Sequence, residues 1–130
     1  MPSYWYDHVH LVSPDAVKTA EFYERMFNAK RVSVGELGAG RVSVELDLNG
    51  SRLLIKSGNV KTETAPGSSE PAHGLEHFGI VTDDLETAVA ELKAKGVEFT
   101  MEIREIRPGV KISFLLGPEN VLIELLERSS

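Results

Sequence analysis

The sequence predicts an α+β protein made of two tandem β-α-β-β-β modules that form a curved mixed sheet with a central cavity, and three observations lead there. First, a segment recurs. Residues 8 to 15 read HVHLVSPD and residues 77 to 84 read HFGIVTDD, which aligns His8 with His77, Val12 with Val81 and Asp15 with Asp84 at one offset of 69 residues (77 minus 8). Second, each copy is followed by an apolar period of 3.6 that then changes to 2. Third, 130 residues and 14.3 kDa suit one ordinary domain, or two very small units sharing a core.

The elements follow in order. In the first module a strand begins at His8, and Ser13 with Pro14 reads as an N-cap and first helical position. Ala16, Ala20, Tyr23 and Phe27 make the apolar helix stripe, and Asn28 is its stop. Three strands are expected near Arg31 to Val34, Arg41 to Leu48 and Ser51 to Lys56, the last two joined by the hairpin signal Asn49-Gly50. In the second module Thr82 or Asp83 caps a helix with Leu85, Ala88, Val89 and Leu92 on its apolar side, and Gly96 ends it. Strands near Val97 to Ile103, Val110 to Leu116 and Asn120 to Leu126 complete the unit, with Gly117-Pro118-Glu119 as the last turn. The modules span residues 4–56 and 75–127. Residues 57–74, rich in Gly, Ser, Pro and Thr and without apolar period, join them as a linker.

Composition removes several functions. There is no cysteine, so disulfides, thiolate nucleophiles, zinc ribbons and iron–sulfur clusters are excluded, and any metal must be held by histidine and carboxylate. A formal charge of -6 is the wrong sign for a polyanion, so neither nucleic acid nor an anionic membrane is an expected partner. The start MPSYWYDHVH lacks a secretory pattern and no run of 18 apolar residues occurs, from which a cytoplasmic location is expected.

Strand alternation sorts the polar residues. On the first strand His8, His10 and Val12 share one face while Val9 and Leu11 share the other and pack on the helix, so the histidines point to the concave side. His77, Gly79 and Val81 share the corresponding face in the second module. Glu124 sits inside VLIELLE on the last strand, a carboxylate in an apolar run that needs a partner. Each of these residues alone has an ordinary structural explanation. Together, two histidines in equivalent repeat positions and one carboxylate match the composition of a 2-His-1-carboxylate site with open positions, suited to a divalent Fe, Mn, Zn, Ni or Co ion.

The stretches DHVHLVSPD, AEFYERMF, GLEHFGIVTDDLETAVAELKAKGV and PGVKISFLLGPENVLIELLE, in that order, resemble the vicinal oxygen chelate superfamily. That group takes in glyoxalase I, methylmalonyl-CoA epimerase, fosfomycin-resistance thiol transferases, extradiol dioxygenases and bleomycin-resistance proteins. The resemblance implies a glyoxalase-like fold and metal ligands at His8, seven residues before Asp15, at His77, seven before Asp84, and at Glu124. It also implies module pairing within a chain or across a two-fold dimer, so a homodimer is expected. Glyoxalase I and the epimerase usually have a further Glu or Gln on the fourth strand. The repeat offset places that position at Ile55, or at Leu54 or Lys56 if the register slips by one, and none of these supplies the expected oxygen.

The function implied is a metal-dependent isomerase, epimerase or lyase acting on a small carbonyl or thioester compound by metal chelation and enolate stabilisation, with Glu124, His10 or Glu45 moving the proton. His10 lies about 7 Å along the strand from His8 on the same face, and Glu45 faces the cavity or solvent if Val42, Val44 and Leu46 pack on the helix. An Fe(II) extradiol-type dioxygenase is the alternative that the missing fourth ligand favours. A metal-free drug-binding protein is the other, and the full ligand set speaks against it. Lys56, Arg41, Arg104 and Arg107 are further candidates for an anionic substrate group, and Tyr4, Trp5 and Tyr6 for hydrophobic anchoring or a dimer contact.

Overall fold

The computed structural model describes residues 1–57 and 73–129. The chain divides into two compact units, Met1–Ala65 and Pro66–Ser130, and each holds one helix and a four-stranded mixed sheet. The first unit runs β1 (His8–Ser13), α1 (Ala16–Phe27), β2 (Lys30–Gly38), β3 (Arg41–Leu48) and β4 (Ser51–Ser57), with sheet order β1-β4-β3-β2. The second runs β5 (Phe78–Val81), α2 (Leu85–Ala94), β6 (Phe99–Arg107), β7 (Val110–Leu116) and β8 (Leu122–Arg128), in the order β5-β8-β7-β6. In both, the first strand lies parallel to the last, and the other pairs are antiparallel. The expected linker starts with Ser57, which is the last residue of β4, and its residues 58–72 lie outside the described ones.

Both helices begin on an aspartate, which corrects the expected caps. Asp15 Oδ1 accepts the Lys18 N–H at 3.0 Å, and Asp84 Oδ1 accepts the Thr87 N–H at 3.1 Å. Ser13 is unavailable for capping because it ends β1 facing inward, where its Oγ meets Thr19 Oγ1 at 2.6 Å. In the second unit Asp84 also takes the Thr87 hydroxyl at 2.7 Å, Thr82 Oγ1 accepts the N–H of Asp84 itself at 3.4 Å, and Glu127 Oε1 accepts the Leu85 N–H at 2.8 Å. Asn28 closes α1 in the left-handed region (φ 60°), as its short amide permits, and Gly96 (φ 92°) follows the last turn of α2.

Strand alternation produces the core. Val44, Leu46, Leu53 and Ile55 of β3 and β4 are buried against α1, whose Ala16, Thr19, Ala20 and Tyr23 are buried in turn. In the second unit Leu115, Ile123 and Leu125 are buried, as are Leu85, Val89 and Leu92 of α2. The outer strands run longer than expected: β2 continues to Gly38 and β6 to Arg107. Every position of β2 is exposed, so neither face requires apolar residues and period 2 carries no signal there. The Asn49-Gly50 turn forms with both residues at positive φ, and the Asp47 carboxylate accepts the Gly50 N–H at 2.9 Å. Between β7 and β8 a short 3-10 turn, Pro118–Asn120, pushes the start of β8 to Leu122.

Candidate functional site

With the core faces assigned, the opposite face of each sheet carries the chemistry. In the first unit β1 presents His8 and His10 there, while Val9 and Leu11 turn toward the covered side. Cross-strand register then gives three rows: His8, Arg52 and Asp47; His10, Leu54 and Glu45; and Val12, Lys56 and Ser43. In the second unit one row holds Gly79, Glu124 and Phe114. The pairings His10 with Leu54 and Gly79 with Glu124 are equivalent, so the repeat counterpart of Glu124 is Leu54. The position expected at Ile55 is therefore shifted by one. Ile55 pairs with Leu11 and Val44, fully buried, whereas Leu54 lies on the open face. The two modules have exchanged features along this row: the first carries a histidine beside an aliphatic residue, the second a glycine beside a carboxylate. A Cβ on Gly79 would stand 3.4 Å from Glu124 Oε1, so the glycine keeps that carboxylate uncovered from the β5 side.

His77 precedes β5 and is half-buried, with Phe114 edge-on to its ring at 5.0 Å between centroids. Its Nδ1 lies 2.9 Å from Glu76 Oε1, and its Nε2 faces Glu124 Oε1 at 3.6 Å. A carboxylate oxygen only accepts, so the Glu76 contact places the ring hydrogen on Nδ1. A neutral ring then aims its Nε2 lone pair toward another acceptor, an arrangement that suits a cation held between the two. Two donors about 2.1 Å from one tetrahedral metal sit about 3.4 Å apart, which the observed separation fits.

The first unit repeats half of this arrangement. His8 Nδ1 lies 2.7 Å from Asp7 Oδ2, and the same oxygen accepts from Arg52 Nη1 at 3.0 Å. Arg52 in turn donates from Nη2 to Glu45 Oε1 at 3.0 Å. The His8 hydrogen bond, with the Arg52 guanidinium, holds the Asp7 carboxyl below its ordinary range. His10 stands with its ring 6.0 Å from that of His8. Partial burial, followed by the charges of Lys56 and His8, draws the His10 pKa below its usual value.

Thus His77 and Glu124 are brought together, His8 lies in the first unit with Asp7 and Arg52, and Glu45 is engaged by Arg52. Within neither unit are three His, Asp or Glu side chains gathered closely enough to hold a metal by themselves, among the described residues. Asp7 and Glu76 escaped the sequence reading, although a signal existed: they too are separated by 69 residues (76 minus 7), each directly before its histidine. Arg104 and Arg107 lie at exposed positions toward the end of β6, and Tyr4, Trp5 and Tyr6 stand 74% to 89% exposed, so no hydrophobic anchoring by them is seen among the described residues.

Two β-α-β-β-β modules, each with a histidine at or just before its first strand, fit one class of protein, and comparison with known proteins agrees. The family model for the Glyoxalase/Bleomycin resistance protein/Dioxygenase superfamily matches residues 5–125, and the chain belongs to that superfamily. Within it, the chain is 30% identical over 125 residues to the human mitochondrial methylmalonyl-CoA epimerase, covering 92% of this chain and 71% of that protein. It is 36% identical over 63 residues to the lactoylglutathione lyase of Schizosaccharomyces pombe, a match covering 48% of this chain and only 20% of the relative. Among solved structures, a glyoxalase family protein from Bacillus cereus superposes with TM-score 0.82 at 17% identity, covering 96% of this chain and 94% of that one. The fosfomycin resistance protein FosX of Listeria monocytogenes, solved with Mn(II), superposes with TM-score 0.71 at 22% identity, covering 96% and 92%. No helix among the described residues is long and apolar enough to cross a membrane.

Proposed function

We propose that this protein is a metal-dependent enzyme of the isomerase, epimerase or lyase kind that moves a proton at a carbon next to the carbonyl of a small carbonyl or thioester compound. The observation that carries the reading is the His77 Nε2 facing Glu124 Oε1 at 3.6 Å while Nδ1 is held by Glu76. His77 and Glu124 would hold the ion. His8, with its Nδ1 held in the same way, would be the third ligand, supplied by the same chain or by a second copy. When bound, a divalent ion stabilises negative charge on a carbonyl oxygen.

The chain's own groups divide the remaining work. His10 is kept neutral by burial and by the Lys56 charge, so at neutral pH it offers a lone pair to a substrate proton. Glu45 is a weaker base candidate because Arg52 donates to its Oε1. Glu124 has Oε1 turned to His77, which suits a ligand more than a base. The extent of the match to methylmalonyl-CoA epimerase supports a thioester among the substrates to try first.

The test is elemental analysis of the purified protein and of His77→Ala, both after incubation with Mn, Fe, Co, Ni and Zn, followed by solvent deuterium exchange into a panel of acyl thioesters and 2-oxoaldehyde hemithioacetals. Stoichiometric metal in the parent, its loss in His77→Ala, and metal-dependent exchange in the parent are expected. Equal absence of metal in both proteins refutes the reading in favour of a binding protein, and catechol-dependent oxygen uptake by an iron form refutes it in favour of a dioxygenase.

A further inference from the structure

Both candidate metal-binding histidines are preceded by an acid that bonds the ring nitrogen nearer the backbone. Asp7 Oδ2 lies 2.7 Å from His8 Nδ1, and Glu76 Oε1 lies 2.9 Å from His77 Nδ1. The acids differ in type and length, yet each reaches the same atom of its own histidine at the same repeat position. An unrestrained neutral imidazole exchanges between two tautomers, of which only one leaves Nε2 free as a donor to a metal. A carboxylate on Nδ1 selects that tautomer, fixes the plane of the ring and raises the basicity of Nε2.

We propose that Asp7 and Glu76 are positioning residues that lock His8 and His77 as Nδ1–H tautomers with Nε2 presented for coordination. The two locks are built differently. Asp7 is itself clamped, because Arg52 donates to both of its oxygens, at 3.0 and 3.3 Å, and is held from the far side by Glu45. Among the described residues the second unit shows no such clamp, since the residue equivalent to Arg52 by the same register is Leu122. Glu76 orders His77 alongside the edge of the Phe114 ring, with Glu124 Oε1 3.6 Å from Nε2. This assigns Glu45 a part besides proton transfer: it anchors the arginine that anchors Asp7. Losing Glu45 therefore disturbs His8 at two removes, and losing Arg52 at one.

The proposal rests on the metal-dependent reading for its purpose, but the lock is measurable in metal-free protein. Long-range 1H–15N NMR of the metal-free chain, above the pH at which the rings protonate, reports which nitrogen of each histidine carries hydrogen. His8 and His77 are expected as Nδ1–H forms. Asp7→Ala and Glu76→Ala are expected to release His8 and His77 respectively to a mixture, and Glu76→Gln to retain the lock through its amide oxygen. Zn(II) titration against a chromophoric chelator is expected to show about 10-fold to 100-fold weaker binding in Glu76→Ala, restored in Glu76→Gln. Both acids are exposed, so the alanine variants are expected to melt as the parent does. Nε2–H forms in the parent, or an unchanged tautomer in the alanine variants, overturn the lock. Equal Zn(II) affinity in parent and Glu76→Ala overturns the positioning role. A parent that binds no Zn(II) overturns the metal-dependent reading instead, while the tautomer measurement still decides whether the lock exists.

Discussion

Placing a carboxylate at Leu54 and, separately, at Ile55 tests the register that makes Leu54 the counterpart of Glu124. Ile55 is fully buried between Leu11 and Val44, so Ile55→Glu forfeits about 1.5–3 kcal/mol of apolar burial. It also strands a carboxyl group among aliphatic side chains, which adds at least a few kcal/mol even if the group protonates. The sum reaches or exceeds about 5 kcal/mol, the lower end of the whole stability of a domain. Leu54→Glu instead faces the open side, opposite Glu45. Like charges about 5 Å apart in an aqueous dielectric repel by about 1 kcal/mol, and losing part of the leucine burial adds about 1 kcal/mol more. With about 4 °C per kcal/mol for a chain of this size, Leu54→Glu should melt about 8 °C below the parent. Circular dichroism on heating, with soluble yield, measures both. A folded Leu54→Glu beside an unfolded or insoluble Ile55→Glu is expected. Equal tolerance of the two substitutions, or the reverse order, refutes the register.

Three further outcomes follow from single contacts. Asp15→Ala removes the acceptor of the Lys18 N–H and should destabilise by about 1 kcal/mol, read as a shift of the urea midpoint with unchanged slope. Asp84 has its pKa lowered by the Thr87 side-chain and backbone hydrogen bonds, so its stabilisation is present above the unfolded carboxyl pKa and is lost as pH falls through the folded one. Asp84→Asn should accordingly flatten the acid limb of a stability–pH curve, and an unchanged limb counts against it. His10 should titrate by NMR below the ordinary histidine value, and Lys56→Met should raise that midpoint. Because the folded form resists protonation, His10 lowers stability as pH falls through the unfolded histidine pKa, and this loss should be smaller in Lys56→Met.

Much of the fold was legible because repetition and period are properties of the chain itself. The offset of 69 set His8 against His77, and alternation put His8 and His10 on one face of β1, as their exposure shows. Hairpin chemistry located Asn49-Gly50. The errors fell where the deciding contact is not local. Asp15 and not Ser13 caps α1 because Ser13 is turned inward onto Thr19, six residues away, and Asp84 caps α2 by accepting the Thr87 N–H. The ends of β2 and β6 were hidden because edge strands need no apolar alternation. At the candidate site, Asp7 and Glu76 were overlooked although both stand one residue from a histidine, since adjacency in sequence alone does not show that a carboxylate turns back onto the neighbouring ring.

The sequence by itself therefore determined the two-module plan, the family to which the chain belongs, the exclusion of a cysteine nucleophile or thiolate ligand within it and the identity of His8, His77 and Glu124 as the residues to examine. Only the tertiary structure decided that the acid before His8 and the acid before His77 each reach Nδ1 of that ring, that Nε2 of His77 faces Glu124, that Glu45 is taken by Arg52, and that Leu54 holds the place equivalent to Glu124. The physical reason is one of range. Periodicity and turn preference act over a few residues and are written along the chain. Register, tautomer and ion pairing depend on groups tens of residues apart, placed within a few ångströms of one another only when the strands have paired.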